Sequence, residues 1–333
     1  MADLTTAQAA GASPPGDGMS AATAARVGRR ALADPAATRR RVRARRRRDT
    51  LIGWSFILPN FLGFVAITLI PVVAAFALAF TNWDSYNTPD WVGLKNFRRL
   101  LHDESTKIAL RNTVYYAVGH VPLTLLASLS LAILLNRKIR GAAFFRAAAF
   151  FPYITSMVAV ALVWNMLFNP ASGPVNQFLQ WFGVAHGPGW TTSTDWAMPA
   201  VIITSAWRDM GYYMILFLAG LQSIPKEQYE AAEMDGATAW QRFRTVTLPG
   251  LRPTTFLVLV LLTVQSFKIF DLIVVMTQGG PGRATTVLSQ RIYQTGIVDG
   301  EFGYASAISV LLFLLVLVLT LTQFWLNKRR ERS

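Results

Sequence analysis

The sequence predicts an all-α integral membrane protein of six transmembrane helices, and three observations predict it. Of its 333 residues 53% are hydrophobic and only 15% charged, where a soluble domain carries roughly a quarter charged. The hydrophobic residues gather in runs of about 20 or more, the length a helix needs to cross a ~30 Å hydrocarbon core. Lys and Arg concentrate on alternate connections between those runs, as membrane topology requires.

Residues 1–50 are rich in Ala, Gly, Ser, Pro and Arg, with eleven Arg against four Asp. Such a segment buries too little apolar surface to offset its ordering entropy. It reads as a disordered, basic cytoplasmic tail. The apolar run after Arg45-Arg46-Arg47-Arg48 extends about 30 residues, well past the h-region of a cleavable signal peptide. The Arg cluster is foremost a topology anchor, with anionic lipid as a second contact.

Six spans are expected, at about 51–80, 112–135, 145–168, 196–220, 254–277 and 304–326. Pro59 and Pro71 in the first are tolerated in membrane helices as kinks. With both termini cytoplasmic, the inner side carries 23 Lys and Arg and the outer side seven. That asymmetry sets the orientation. The segment through Trp91, Leu94, Phe97, Leu100 and Leu101 reads as an amphipathic helix on the outer surface. The transmembrane domain is then 51–327 and the cytoplasmic C-terminal tail 328–333.

The net charge of +14 would suit a nucleic-acid binder, but its placement in the tail and in span-flanking loops argues for a membrane and against nucleic acid. The absence of cysteine excludes disulfides, iron–sulfur centres and Cys-ligated zinc. His102, His120 and His186 have no metal-ligand spacing and read as lone surface or interface residues. No G-x-x-x-x-G-K-[ST] occurs, so the chain itself does not hydrolyse ATP. No nucleophile–base constellation supports an intramembrane hydrolase.

One polar stretch, 225–250, sits where a short cytoplasmic loop belongs. Pro225 suits the first turn of a helix running to Met234. Gly236 permits a sharp change of direction. A second short helix from Ala237 to about Val246 spaces Trp240, Phe243 and Val246 three apart, and Leu248-Pro249 ends it. Glu230 offers a carboxylate to a partner's Arg, and small Ala231 and Ala232 allow close approach. The plainer reading is an amphipathic loop that only caps two spans.

Charged residues at membrane depth face a bundle interior or a wet cavity. Arg208 and Asp209 fall mid-span. Lys268 and Asp271, three apart, share a helix face and are able to pair. With Tyr153, Trp207, Tyr212, Gln265 and Ser266 they are candidates to line a substrate path, since they supply hydrogen-bond donors and acceptors beside aromatic faces. The plainer reading is an internal ion-pair network that fixes helix register.

The spacing of Glu230-Ala231-Ala232, Gly236 and Val246-Thr247-Leu248-Pro249 resembles the E-A-A-x3-G-x9-I-x-L-P loop of binding-protein-dependent ABC importer permeases, with Val246 for the usual Ile. Phe151-Pro152-Tyr153, Asn165 to Asn169, Phe270-Asp271-Leu272-Ile273, Thr277-Gln278-Gly279-Gly280-Pro281 and Gly303-Tyr304-Ala305-Ser306-Ala307 resemble the maltose-type, carbohydrate branch, as does Trp91-Val92-Gly93-Leu94-Lys95-Asn96-Phe97. The resemblance covers roughly 51–327, with the transport core about 108–324. It implies the type I ABC importer permease fold, with a cytoplasmic coupling helix in which Glu230, Ala231, Ala232, Asp235, Gly236, Leu248 and Pro249 meet an ATPase. It implies a bacterial cytoplasmic membrane, a second homologous permease, two ATPase subunits that carry ATP and Mg, an extracytoplasmic sugar-binding protein, a carbohydrate substrate, and no cofactor on this chain. Two rival readings are an ion-coupled secondary transporter working through Asp209 and Asp271, and a non-transporting membrane scaffold.

Overall fold

A computed structural model describes residues 50–330 apart from 51, 87, 138, 185 and 186. The expected disordered tail up to residue 49, residues 331–333 and His186 lie outside the described residues. The described residues divide into two compact units, one ending at Pro71 and the other starting at Val72.

Helix α1 (Ile52–Leu78) is 27 residues of apolar sequence with none of its span buried. Phe56 and Ile67 stand almost fully exposed, a surface that suits lipid rather than water. Proline clashes with the carbonyl four residues back in a regular helix. Ahead of Pro71, the turn Val65–Leu69 widens to a π-helical turn in which the Ile70 N–H bonds Val65 O, making room.

In the second unit, α2 (Lys95–His102) is amphipathic, with Asn96 and Leu100 on its buried side. Buried Asn96 fixes it by donating to Ala79 O at 2.9 Å and Thr81 O at 2.8 Å. Helix α3 (Glu104–Leu135) starts from Asp103, whose carboxylate caps the Ser105 N–H. Helices α4 (Ala142–Ile154) and α5 (Met157–Leu167) meet at a 100° bend. The expected span 145–168 is therefore not one straight helix. Thr155 and Ser156 leave helical geometry there, and Thr155 turns its hydroxyl back on Phe151 O. Helix α6 (Pro174–Trp181) opens with proline at its first position. Helix α7 (Ala197–Gln222) follows, then α8 (Lys226–Met234) and α9 (Ala239–Gly250). Helix α10 (Arg252–Phe267) leaves α9 at 63°. Helix α11 (Asp271–Met276), α12 (Leu288–Tyr293) and α13 (Phe302–Arg330) complete the chain.

Among the described residues three helices, α1, α3 and α13, are long and apolar enough to cross a membrane, and up to five spans result if the α4–α5 and α9–α10 pairs each count once. Helix α7, at 26 residues, has the length for a sixth but carries Arg208 and Asp209 in its middle. The expected fifth span, 254–277, is also broken. Helix α10 stops at Phe267, and Phe270 leaves helical geometry before α11 begins.

Helices α3 and α7 pack along each other, with α4 and α10 against them. Gly211 brings α7 and α4 to backbone contact, since a Cβ there would strike the Ala149 carbonyl. Three apolar cores result. One surrounds Tyr116, Phe168, Met198 and Leu272. A second joins Met214, Phe217, Leu221, Val246, Leu251 and Leu262. The third, around Ala79, Leu100, Leu288 and Ile308, fixes α2 on α12 and α13. Among the described residues the one β pairing is an isolated antiparallel bridge, Thr81 with Trp91.

Candidate functional site

The segment 225–250 forms a stiff two-helix hairpin. Pro225 is the N-cap of α8, and Glu227 in the first turn complements the helix dipole. At the other end Gly236 adopts φ +74°, the left-handed geometry that glycine supplies without strain. Its N–H reaches Glu233 O at 3.0 Å and the Ala237 N–H reaches Ala232 O at 2.9 Å. Thr238 and Gln241 then form a capping box at the start of α9. Tyr229 and Thr247 hydroxyls meet at 3.0 Å across the hairpin. Arg242 pairs with Glu233 at 3.2 Å, an exposed contact worth little by itself.

The root of the hairpin is buried and its tip is not. Ile224, Val246 and Leu251 belong to the second core, with Ala232 packed on its edge. Glu230, Ala231, Asp235 and Gly236 are exposed, and Met234 (88%) and Trp240 (68%) are bare apolar surface. Trp240 stacks on Phe243 at 5.4 Å. The expected end of the second helix at Leu248-Pro249 is corrected: α9 runs on to Gly250. The turn Phe243–Thr247 widens, with the Leu248 N–H bonding Phe243 O, so Pro249 fits without ending the helix. The break comes at Leu251, which caps α10.

A second cluster lies halfway along α7. Arg208 donates to Asp209 Oδ1 at 2.8 Å and to Tyr153 O at 3.2 Å, and its guanidinium lies over the Tyr153 ring at 5.0 Å. Tyr153 stacks on Tyr212 at 4.5 Å and 14°. The other oxygen of Asp209 faces His120 Nε2 at 3.3 Å, and His120 Nδ1 contacts Ser266 Oγ at 3.0 Å. The structure thus gathers Tyr153, Arg208, Asp209 and Tyr212, and reaches Ser266 through His120. Ser266 is buried at the helix contact. Trp207 packs edge-on against Trp164, while Gln265, Lys268 and Asp271 are exposed. Lys268 and Asp271 form no ion pair. Their expected pairing assumed one unbroken helix, and Lys268 instead ends α10 while Asp271 starts α11.

His120 was expected on a surface or interface, yet it is 1% exposed. The signal for it was its place within a predicted span, where an ionisable side chain marks a polar partner. Asp103 also escaped the sequence reading. Burial alone would raise its pKa, but donors from Thr106, Tyr304 and the Ser105 N–H, with the nearby Arg291 charge, bring the carboxyl down to about 2. It holds the start of α3 against α12 and α13. The loop after α11 is held similarly, since Asn112 of α3 donates to Arg283 O and Thr286 O.

Residues 107–332 match the model of the family described as binding-protein-dependent transport system inner membrane component. The chain is 32% identical to the probable starch degradation products transport system permease protein AmyD of Thermoanaerobacterium thermosulfurigenes, over 84% of this chain and 94% of that one. It is 33% identical to the trehalose/maltose transport system permease protein MalF of Thermococcus litoralis, over 85% and 96% of the two chains. Among solved structures it resembles a chain of a bacterial alginate ABC transporter in complex with an alginate pentasaccharide-bound periplasmic protein. That likeness has a TM-score of 0.75 and 26% identity, and covers 86% of this chain and 97% of that one. With the spans, the hairpin and these likenesses together, the chain belongs to the family of inner membrane components of binding-protein-dependent transport systems and has the type I ABC importer permease fold.

Proposed function

We propose that this chain is the permease subunit of an ATP-driven importer that carries a carbohydrate across a bacterial cytoplasmic membrane. The observation that carries the reading is the hairpin, rooted in the core through Val246 and Leu251 and bare at Glu230, Met234 and Trp240. A rigid knob with an exposed carboxylate and apolar rim is what a soluble motor needs in order to push on membrane helices. Both termini are then cytoplasmic, in keeping with the Lys and Arg asymmetry.

The importer comprises a second homologous permease, two ATPase subunits holding ATP and Mg, and an extracytoplasmic binding protein that delivers the sugar. One ATPase docks on Glu230, Ala231, Ala232, Asp235 and Gly236, with Leu248 and Pro249 setting the angle between hairpin and spans. Closure of the ATPase pair moves the hairpin, and through the second core it moves α7 and α10. Tyr153 and Tyr212 offer aromatic faces to a sugar ring, beside Arg208 and Asp209. Trp207, Gln265, Ser266, Lys268 and Asp271 complete the candidate path, Ser266 through its hold on His120. Arg208 is already paired with Asp209, which favours a neutral over an anionic sugar at that point.

The test is uptake by vesicles holding the assembled importer and its binding protein, with labelled maltose, trehalose and diacetylchitobiose as probes. ATP-dependent uptake that Glu230→Arg abolishes is the expected result. Uptake that persists without the ATPase and collapses with the proton or sodium gradient contradicts it.

A further inference from the structure

We propose that His120 is a positioning residue for the sugar path: it holds Asp209, and Asp209 holds the Arg208 guanidinium against Tyr153. The inference rests on reading Tyr153 and Tyr212 as part of that path. No motif or spacing marks His120, and its charged neighbours come from other helices.

The hydrogen-bond pattern decides how the ring is protonated. Ser266 Oγ donates to Leu262 O at 2.7 Å, so its only hydrogen is committed within α10. The 3.0 Å contact between Ser266 Oγ and His120 Nδ1 is then a hydrogen bond that Nδ1–H donates. Nε2 lies 3.3 Å from Asp209 Oδ2 and makes no hydrogen bond to any described residue. A bare lone pair facing a carboxylate in a site only 1% exposed on the His side and 16% on the Asp side is repulsive, and a proton between them makes the contact attractive. The proposed arrangement places a proton on Nε2, facing Asp209.

The surroundings leave Asp209 few alternatives. Tyr116 stacks flat on the His120 ring at 5.1 Å, fixing its plane from within α3. From α7 come Arg208, Asp209 and Tyr213, from α4 Tyr153, and from α10 Ser266; Tyr212 joins Tyr153 and Tyr213. Asp209 uses one oxygen for Arg208 and the other for His120. Without His120 the carboxylate loses one of its two anchors, and the guanidinium it carries is free to leave the Tyr153 carbonyl and ring. His120 never faces the path, so it acts on sugar only through Asp209 and Arg208.

The test uses the assembled importer in vesicles with the same three labelled sugars. His120→Ala raises the half-saturating concentration about ten-fold, the loss expected of one charge-assisted contact, with the maximal rate nearly kept. His120→Gln, whose amide presents a permanent donor to Asp209, restores it. Tyr212→Ala separates the two readings. If it weakens uptake while His120→Ala does not, the positioning role is wrong and the path stands. If neither variant changes uptake, the path itself is wrong, and the positioning role with it. Independently of any sugar, nitrogen-15 histidine spectra of the full chain in lipid nanodiscs show a protonated Nδ1 on His120 and an Nε2 signal that Asp209→Asn displaces. A bare Nδ1, or an Nε2 signal indifferent to Asp209→Asn, overturns the arrangement.

Discussion

Asp103 shows how a single carboxylate fastens three helices. It caps α3, accepts from Tyr304 Oη of α13 at 2.8 Å, and faces Arg291 of α12 at 3.5 Å. Its folded pKa of about 2 lies below the ordinary 3.8, so the folded chain binds fewer protons than the unfolded chain between those values. The stabilisation is full above about pH 4 and is lost as pH falls through about 2, and it amounts to roughly 2 kcal/mol. Asp103→Asn is expected to lower thermal stability at neutral pH by about that amount and to leave little difference from wild type near pH 2. Melting of the two proteins in nanodiscs across that range checks it; an equal gap at both ends would exclude the role. The cap of Asp103 on Ser105 and Thr106 is local, but its hold on Tyr304 and Arg291 joins residues far apart in the chain, which no sequence pattern marks. The same distance hid His120, whereas Glu230 and Gly236 were legible because their chemistry is local.

At the scale of elements, the hairpin depends on one turn and the bundle on one close crossing. Nothing lies within 4 Å of a Cβ placed on Gly236, but its φ of +74° disfavours any other residue. Gly236→Ala is expected to cost about 1 kcal/mol through backbone strain alone and to cut ATP-driven uptake well beyond its effect on melting, as uptake and melting measured on one preparation will tell. Gly211→Ala acts differently, because its Cβ would meet the Ala149 backbone. Parting α4 from α7 should cost about 1–3 kcal/mol, read as a lowered melting temperature, and should loosen the Tyr153–Tyr212 stack with it. An unchanged melting temperature would mean the two helices do not meet as closely as described. The helical regions themselves were legible from apolar runs of spanning length. Their breaks were not: Thr155-Ser156 and Lys268 to Phe270 lie within runs of spanning length, and neither carries a glycine or proline at the point where the helix stops. The i, i+3 rule for Lys268 and Asp271 failed for that reason.

In the whole molecule, a hairpin that is bare at its tip joins a polar cluster in the bundle through one continuous apolar core of α7, α9 and α10. The central claim is that residues 225–250 lie in the cytoplasm and receive an ATPase. The chain contains no cysteine, so Met234→Cys, at a position 88% exposed, introduces a unique thiol at the tip. A membrane-impermeant maleimide should label it in inside-out vesicles and not in intact cells, and the assembled ATPase should shield it. Labelling in intact cells, or labelling that the ATPase leaves unchanged, would contradict the account.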